Sequence, residues 1–389
     1  MRFSFLSRLI RSIVRLLSLP FIIVVCVTLR VVFAGREVRI VVMDPRLFGH
    51  QSLEPEVFWD DWQTDVEKGS QHAWFCCLGK KSSASNSHLW QLAKDKFPTL
   101  PSWFVTSVAH WKKRFKLSQL VLLDASIYRL GFLVRRETTL PRPETMLLRR
   151  REILSHLAEP ERPYVVFTIR EFDRASTVNE LRNRQISDLV PAMSALVEQG
   201  FNVVRLTSST KDPIASALEH VLDWQVLVNG RPGDELAVVS GASFVVSTTT
   251  GGDCLALAYR RPVLYLDSAR FCLVFLGTEL TTFQVPQFLD SMTGRSLSLE
   301  QLLERDLGWV GEQGAFAKAG VTVVNSDPQV IRNVVIQYYD RGAWRGEYAE
   351  DADDAVWREM LMMRHGEQIT RRHGPIRALM HPASKHAML

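Results

Sequence analysis

Cysteine is scarce in this 389-residue chain: Cys26, Cys76, Cys77, Cys254 and Cys272 are odd in number, two are adjacent, and none has zinc-type or disulfide-framework spacing. A disulfide-stapled scaffold and a cysteine zinc site are excluded, and the thiols read as buried and reduced in a cytosolic compartment. No G-x-G-x-x-G follows a strand-like run, which removes the main support for a dinucleotide redox enzyme. Gly79-Lys80-Lys81-Ser82 resembles the end of a phosphate loop, but Trp74 stands where the first glycine is required. A cationic body is lacking too. The net charge is +5, yet residues 1–39 hold seven Arg against one Glu, so the rest of the chain is close to neutral and nucleic acid is not an expected partner. Asp351-Ala352-Asp353 has the form of a metal-binding D-x-D, but it sits in a charged helical tail and reads as a solvated face; no metal is expected.

What is present, 46% apolar, 23% charged and 10% aromatic residues, belongs to a globular protein of about two domains plus appendages. At the N-terminus, Leu16 to Leu29 is uncharged, bounded by Arg15 and Arg30 and interrupted by Pro20. Those fourteen residues extend roughly 21 Å as a helix, short of the ~30 Å hydrocarbon layer. Upstream, Phe3, Leu6, Leu9, Ile10, Ile13, Val14 and Leu17 recur at helical spacing opposite Arg2, Arg8, Arg11 and Arg15, the pattern of a helix lying on an anionic leaflet. The expectation is a peripheral or monotopic anchor on the inner (cytoplasmic) membrane, with the body in the cytoplasm. A single span and a cleavable signal peptide are the competing readings, the latter without a small-residue cleavage pattern.

The body alternates strands and helices. Strands are predicted at 38–43, 73–78, 103–107 and 120–123, with helical segments at 50–65 and 87–97. A charged helix at 144–157 leads into the stiff linker Glu159-Pro160-Glu161-Arg162-Pro163. A second alternation follows: strands at 164–169, 201–206, 225–228, 244–247 and 263–266, and helices ending at 199–200 (Ser187 as N-cap), at 213–222, 234–239 and 253–259. A last strand at 321–324 enters a helix to 339 through the capping-box pattern Ser326-Asp327-Pro328-Gln329. This α/β pattern predicts two Rossmann-like domains facing a cleft: an anchoring segment (1–35), a first domain (36–158), a second domain (159–340) and a helical tail (341–389).

Three clusters carry candidate chemistry. Thr248-Thr249-Thr250-Gly251-Gly252-Asp253 leaves a strand and opens a helix, bringing hydroxyls, bare backbone and free N–H groups where a diphosphate would sit; a plain polar cap is the alternative. Arg170 and Asp173 follow the first strand of the second half, where a guanidinium can chelate a pyrophosphate without a metal ion; an ion pair is the alternative. Arg205, Ser208 and Ser209 end the next strand and are expected to line the same groove. In the first half, Gly49 permits a tight turn, and His50, Glu54 or Glu56 can take a proton from an attacking hydroxyl, with helix capping by the acidic pair as the alternative. Six tryptophans (59, 62, 74, 90, 103, 111) fall in this half and are assigned to core packing ahead of sugar stacking.

These residues together resemble a family of bacterial glycosyltransferases marked by a glycine-histidine turn and a Glu-Pro-Glu stretch, here Gly49-His50 and Glu54-Pro55-Glu56. The likeness continues through Arg170, Asp173, Leu181-Arg182-Asn183, the 200–205 strand entry, 244–262 and Asn325-Ser326-Asp327-Pro328, over roughly residues 38–340. It departs at Ile169, where related strands often carry His, and at Thr-Thr-Thr-Gly-Gly, where a single serine-glycine pair is expected. The resemblance implies a GT-B-like fold, distantly fucosyltransferase-like, and metal-independent transfer of a sugar from a GDP- or UDP-linked nucleotide sugar to a glycan or lipid-linked acceptor in surface polysaccharide or lipopolysaccharide biosynthesis, with no other cofactor. A non-catalytic membrane-associated glycan- or nucleotide-binding scaffold is the alternative, and a nucleotide-sugar epimerase a third.

Overall fold

The structure is a computed structural model that describes residues 37–43, 45–70, 72–106, 120–124, 138, 140–171, 181–207, 214, 219–225, 230, 231, 233–270, 280–308, 310–345 and 377–379, with 20, 23, 24 and 27 in the N-terminal segment. The chain separates into two units, Met1–Ile127 and Tyr128–Leu389.

In the first unit, β1 (Val38–Val42), α1 (Phe48–Glu67), β2 (Ala73–Cys77), α2 (Ser87–Lys96) and β3 (Leu120–Asp124) form a parallel sheet in the order β2-β1-β3 with its helices. Val41, Met43, Phe58, Trp74, Cys76, Leu78, Ala93 and Phe97 make its core, and Trp59, Trp62 and Trp90 pack against it, so four of the six tryptophans serve packing. Asn86 caps α2 by accepting from the N–H groups of His88 and Leu89. Residues 102–106 are helical where the sequence predicts a strand. Pro101 sets a helical entry, and its carbonyl accepts from the N–H groups of Phe104 and Val105 at 3.0 and 3.2 Å.

The second unit begins its described helices with α3 (Glu144–Leu154), a segment the sequence assigns to the first domain. It continues through β4 (Tyr164–Thr168), β5 (Arg170–Glu171), β6 (Asn183–Arg184), α4 (Val190–Glu198), β7 (Asn202–Thr207), β8 (Val221–Gln225), α5 (Asp234–Gly241), β9 (Phe244–Ser247), α6 (Gly251–Ala258) and β10 (Val263–Tyr265). It ends with β11 (Thr281–Gln284), β12 (Gln287–Asp290), α7 (Leu299–Glu304), α8 (Gln313–Lys318), β13 (Val321–Val324), α9 (Pro328–Asp340) and β14 (Arg377–Leu379). Seven strands form a parallel sheet in the order β14-β11-β10-β9-β4-β7-β8. The chain runs outward from β4 through β7 to β8, then returns to β9 on the other side of β4, so the order reverses between β4 and β9. Burial on both faces explains why β4 and β9 are apolar nearly throughout, with Val165, Val166, Phe167, Phe244 and Val245 fully buried.

Several expected elements shift. β8 occupies 221–225, where the sequence suggests a helix end, because Asp223 lies opposite Arg205 in the β7–β8 register and pairs with it. Ser187 is inside a short 3-10 turn, Ile186–Asp188, and α4 starts after Leu189 with Pro191 in its first turn. β13 leaves the main sheet and pairs antiparallel with β12. Asp327, rather than Ser326, caps α9. β14, in the expected helical tail, adds to β11. Among the described residues no helix is long and apolar enough to cross a membrane; residues 1–19, which carry most of the expected anchor, lie outside the described residues.

α3 is held to α5 by a two-pronged ion pair. Arg149 Nε and Nη2 donate to Asp234 Oδ1 and Oδ2 at 2.7 and 2.8 Å, the guanidinium lies 5.5 Å over the Trp224 ring, and Trp224 Nε1 also donates to Asp234. Burial alone would raise the Asp234 pKa, but the hydrogen bonds from Arg149 and the Arg231 N–H hold it below the usual carboxylate value. Asp234→Ala leaves Arg149 to Glu152 of its own helix and strips Trp224 Nε1 and the Arg231 N–H of their acceptor, and is expected to cost about 3 kcal/mol in urea unfolding; a loss below about 1 kcal/mol would show that this pair does not anchor α3.

Candidate functional site

In a parallel sheet, ligands bind beyond the carboxyl ends of the strands where the strand order reverses. Here that point lies between β4 and β9, and two of the sequence-predicted clusters meet there. The chain leaves β4 at Ile169, and the Arg170 N–H donates to Thr248 Oγ1 at 2.9 Å, while the Thr248 N–H donates to the Thr168 carbonyl at 3.3 Å. Arg170 is half-buried. Thr249 adopts φ +62°, and Arg182 Nη1 donates to its carbonyl at 3.0 Å. Thr250 caps α6, accepting from the Gly252 N–H at 3.2 Å, and its own N–H goes to Ser247 Oγ at 3.3 Å. Gly252 is needed by contact: a Cβ there would fall 2.6 Å from Thr168 Cγ2. The helix starts at Gly251, two residues before the predicted start, and this brings both glycines into its first turn.

Asp253 points inward. Fully buried, it accepts from the Cys254 N–H at 2.7 Å and from Ser247 Oγ at 3.4 Å. Burial pushes its pKa up from 3.8 to about 6, against the Cys254 hydrogen bonds and the nearby Arg182 and Ser247. It braces the bend from behind.

The other candidates separate from this cluster. Arg205 is 1% exposed in mid-strand, with Nη1 3.0 Å from Asp223 Oδ2, so its charge is committed to the β7–β8 pair and does not line a groove. Asp173, Ser208 and Ser209 lie outside the described residues. The residues that sequence reasoning missed are Arg182, noted only within the resemblance, and the strand-end pair Asp267 and Gln284, which bond Ser326, a residue the sequence analysis names only as a helix cap and within the resemblance. Asp267 directly follows an apolar strand run, the position at which a polar residue faces the binding edge.

In the first unit, the expected turn at Gly49 is the opening of α1, helical from Phe48. This spacing puts His50 and Glu54 one turn apart, and His50 Nδ1 lies 2.6 Å from Glu54 Oε1. The Glu54 side chain is 2% exposed and that of His50 15%. Glu56 is also buried, so neither acid caps the helix. Gln51 fixes this turn: its Oε1 accepts from Ser85 Oγ and the Asn86 N–H at 2.7 and 2.8 Å, and its Nε2 donates to the Asn86 carbonyl. Cys76, Cys77 and Cys254 are buried free thiols, with burial pushing Cys76 up to about 12. Among the described residues no group of three or more His, Cys, Asp or Glu is placed to hold a metal ion.

No protein-family model matches the sequence, and no curated protein matches it at a significant level. Solved structures give partial likenesses. The ADP-heptose LPS heptosyltransferase II of E. coli is 14% identical, with 59% of this chain and 84% of that one covered and a TM-score of 0.34. A glycosyl transferase family 9 protein from Veillonella parvula is 10% identical over 73% and 96%, TM-score 0.37. The glycosyltransferase SnogD from Streptomyces nogalater is 10% identical over 78% and 96%, TM-score 0.30.

The raised Asp253 pKa sets a pH signature. A carboxyl raised on folding contributes stability that is full below 3.8 and lost as pH rises through about 6. Asp253→Asn cannot ionise, so its stability relative to wild type is expected to rise by about 2 kcal/mol between pH 4 and pH 7 in urea unfolding. Parallel pH profiles for the two proteins would show that Asp253 is not strained by burial.

Proposed function

We propose that the chain is a glycosyltransferase that takes a nucleotide sugar as donor, with the diphosphate held by the second unit. The observation that supports this most is the meeting of Arg170 with the 248–253 bend at the sheet reversal. A bend rich in hydroxyls, a helix start and two arginines, Arg170 and Arg182, come together there, a cationic grouping of the kind that stabilises a departing diphosphate. In this reading the guanidinium groups and the helix start neutralise the leaving group directly, without a metal ion.

The acceptor hydroxyl is assigned to His50 as general base, with Glu54 orienting the ring through Nδ1. Glu54 and Glu56 are too deeply buried to receive a substrate proton themselves, whereas an imidazole oriented by a carboxylate suits the task. The acceptor is a glycan or lipid-linked glycan of surface polysaccharide or lipopolysaccharide assembly, and residues 1–35 hold the protein to the inner membrane surface. This part of the proposal rests on the basic, apolar N-terminal pattern and on the sequence resemblance.

Calorimetric titration with UDP, GDP and ADP, followed by incubation with their sugar conjugates, tests the donor site. One nucleotide is expected to bind, and Arg170→Ala to weaken it by at least about tenfold, the loss of one charge-assisted contact. Absence of binding by all three would end the donor reading; binding without any turnover would favour the scaffold. Where turnover is measured, Glu54→Gln is expected to lower kcat by about 100-fold with little change in donor KM, and an unchanged kcat would remove the His50 and Glu54 assignment.

A further inference from the structure

Arg170 sits on a strand of two residues, and that strand has two lateral supports. Its N–H is held by Thr248 Oγ1, and it pairs in parallel with β6, Arg170 opposite Asn183 and Glu171 opposite Arg184. The pair forms a sheet of its own. Leu181 and Ile186 are buried on either side of β6, Ile186 within the core of the unit, and β6 is tied further to the body by the side chain of Arg184, only 6% exposed. Its guanidinium forms an ion pair with Asp267, just beyond β10, and Nη1 donates to the Ser326 carbonyl at 3.4 Å, just before α9.

Asp267 is itself fixed. Its Oδ1 accepts from the Ser326 N–H and Oγ at 3.2 and 2.8 Å and from Gln284 Nε2 at 3.2 Å, while its N–H donates to Gln284 Oε1 at 2.8 Å. Burial pulls the Arg184 pKa down to about 10, which leaves it a cation at neutral pH. Two residues earlier, Arg182 holds the Thr249 carbonyl. The stretch 181–184 therefore ties the 249 bend to the ends of β10 and β11 and the start of α9, and β5 runs alongside it.

We propose that Arg184 is a positioning residue: by locking β6 to Asp267 and Ser326 it holds β5, and with it Arg170, in register at the sheet reversal, without touching the diphosphate itself. This rests on the donor-site reading above. A purely structural pair would lower stability and leave the affinity of the folded protein unchanged. A positioning pair lowers affinity through Arg170, so its effect disappears once Arg170 is removed.

The test titrates UDP, GDP and ADP into the full chain as wild type, Arg170→Ala, Arg184→Met, Arg184→Met with Arg170→Ala, and Arg184→Met with Asp267→Asn. The last variant removes both charges, so no uncompensated carboxylate stays buried should Arg184→Met alone fail to fold. Circular dichroism and melting temperature establish folding for each. The tightest-binding nucleotide is expected to bind about tenfold more weakly to the folded Arg184 variants, with no further loss when Arg184→Met is added to Arg170→Ala. Unchanged affinity in a folded Arg184 variant, or losses that multiply in the double variant, would overturn the positioning role while leaving the donor site standing. Failure of all three nucleotides to bind wild type would overturn both.

Discussion

The hydrogen bond from the Arg170 N–H to Thr248 Oγ1 closes the seam on which the second unit depends. At Ile169 the chain steps off β4, and the next N–H has no partner in the main sheet. A part-buried donor left unmade costs about 1–3 kcal/mol. The threonine hydroxyl takes it up and, in the same stroke, fixes the outgoing backbone of β9 against that of β4, because the Thr248 N–H returns to the Thr168 carbonyl. The direction of α6 follows. Its start is capped by Thr250 and pressed against Thr168 across a contact that only glycine allows at position 252. Apart from Arg182, which reaches the bend from beside β6, the candidate donor site is a consequence of how two neighbouring strands end.

Among the described residues, three Arg–Asp pairs with at least one buried partner organise the unit around that seam, each at a different boundary. Arg149 with Asp234 joins α3 to α5, Arg205 with Asp223 joins β7 to β8, and Arg184 with Asp267 joins β6 to the end of β10. Buried ion pairs contribute little net stability, since desolvation offsets most of the attraction, but a wrong partner is costly. Their use here is to specify which element lies beside which. In the first unit the same part is played by Gln51, whose amide group grips the loop before α2 and thereby fixes the helical turn that carries His50 and Glu54.

Much of this frame was legible in the residues. Apolar, β-branched runs such as Phe244 to Ser247 have a strand's length and composition and nothing of a helix, and they were read to the residue. The meeting of Arg170 with the threonine-glycine bend was legible because strand-end position is set by the same runs. What escaped needed a partner to be seen. Asp223 reads as a strand residue only beside Arg205, and Arg205 reads as a free strand-end cation until Asp223 is opposite it. Gly49 read as a turn because glycine is a poor helix former, yet burial of Ser52, Leu53, Glu54 and Glu56 carries the helix through it. Asp267, Gln284 and Ser326 come from segments up to 59 residues apart, and no local pattern announces that they share one buried network.

The left-handed backbone at Thr249 carries one more implication. A non-glycine residue in that region costs of order 1 kcal/mol, and Arg182 on its carbonyl keeps it there. That cost is met when the chain folds. If the bend holds the diphosphate as proposed, its cradle is already shaped before the anion enters, so docking would show little ordering entropy and a heat signature dominated by desolvation and charge, as in a lock cut before the key arrives.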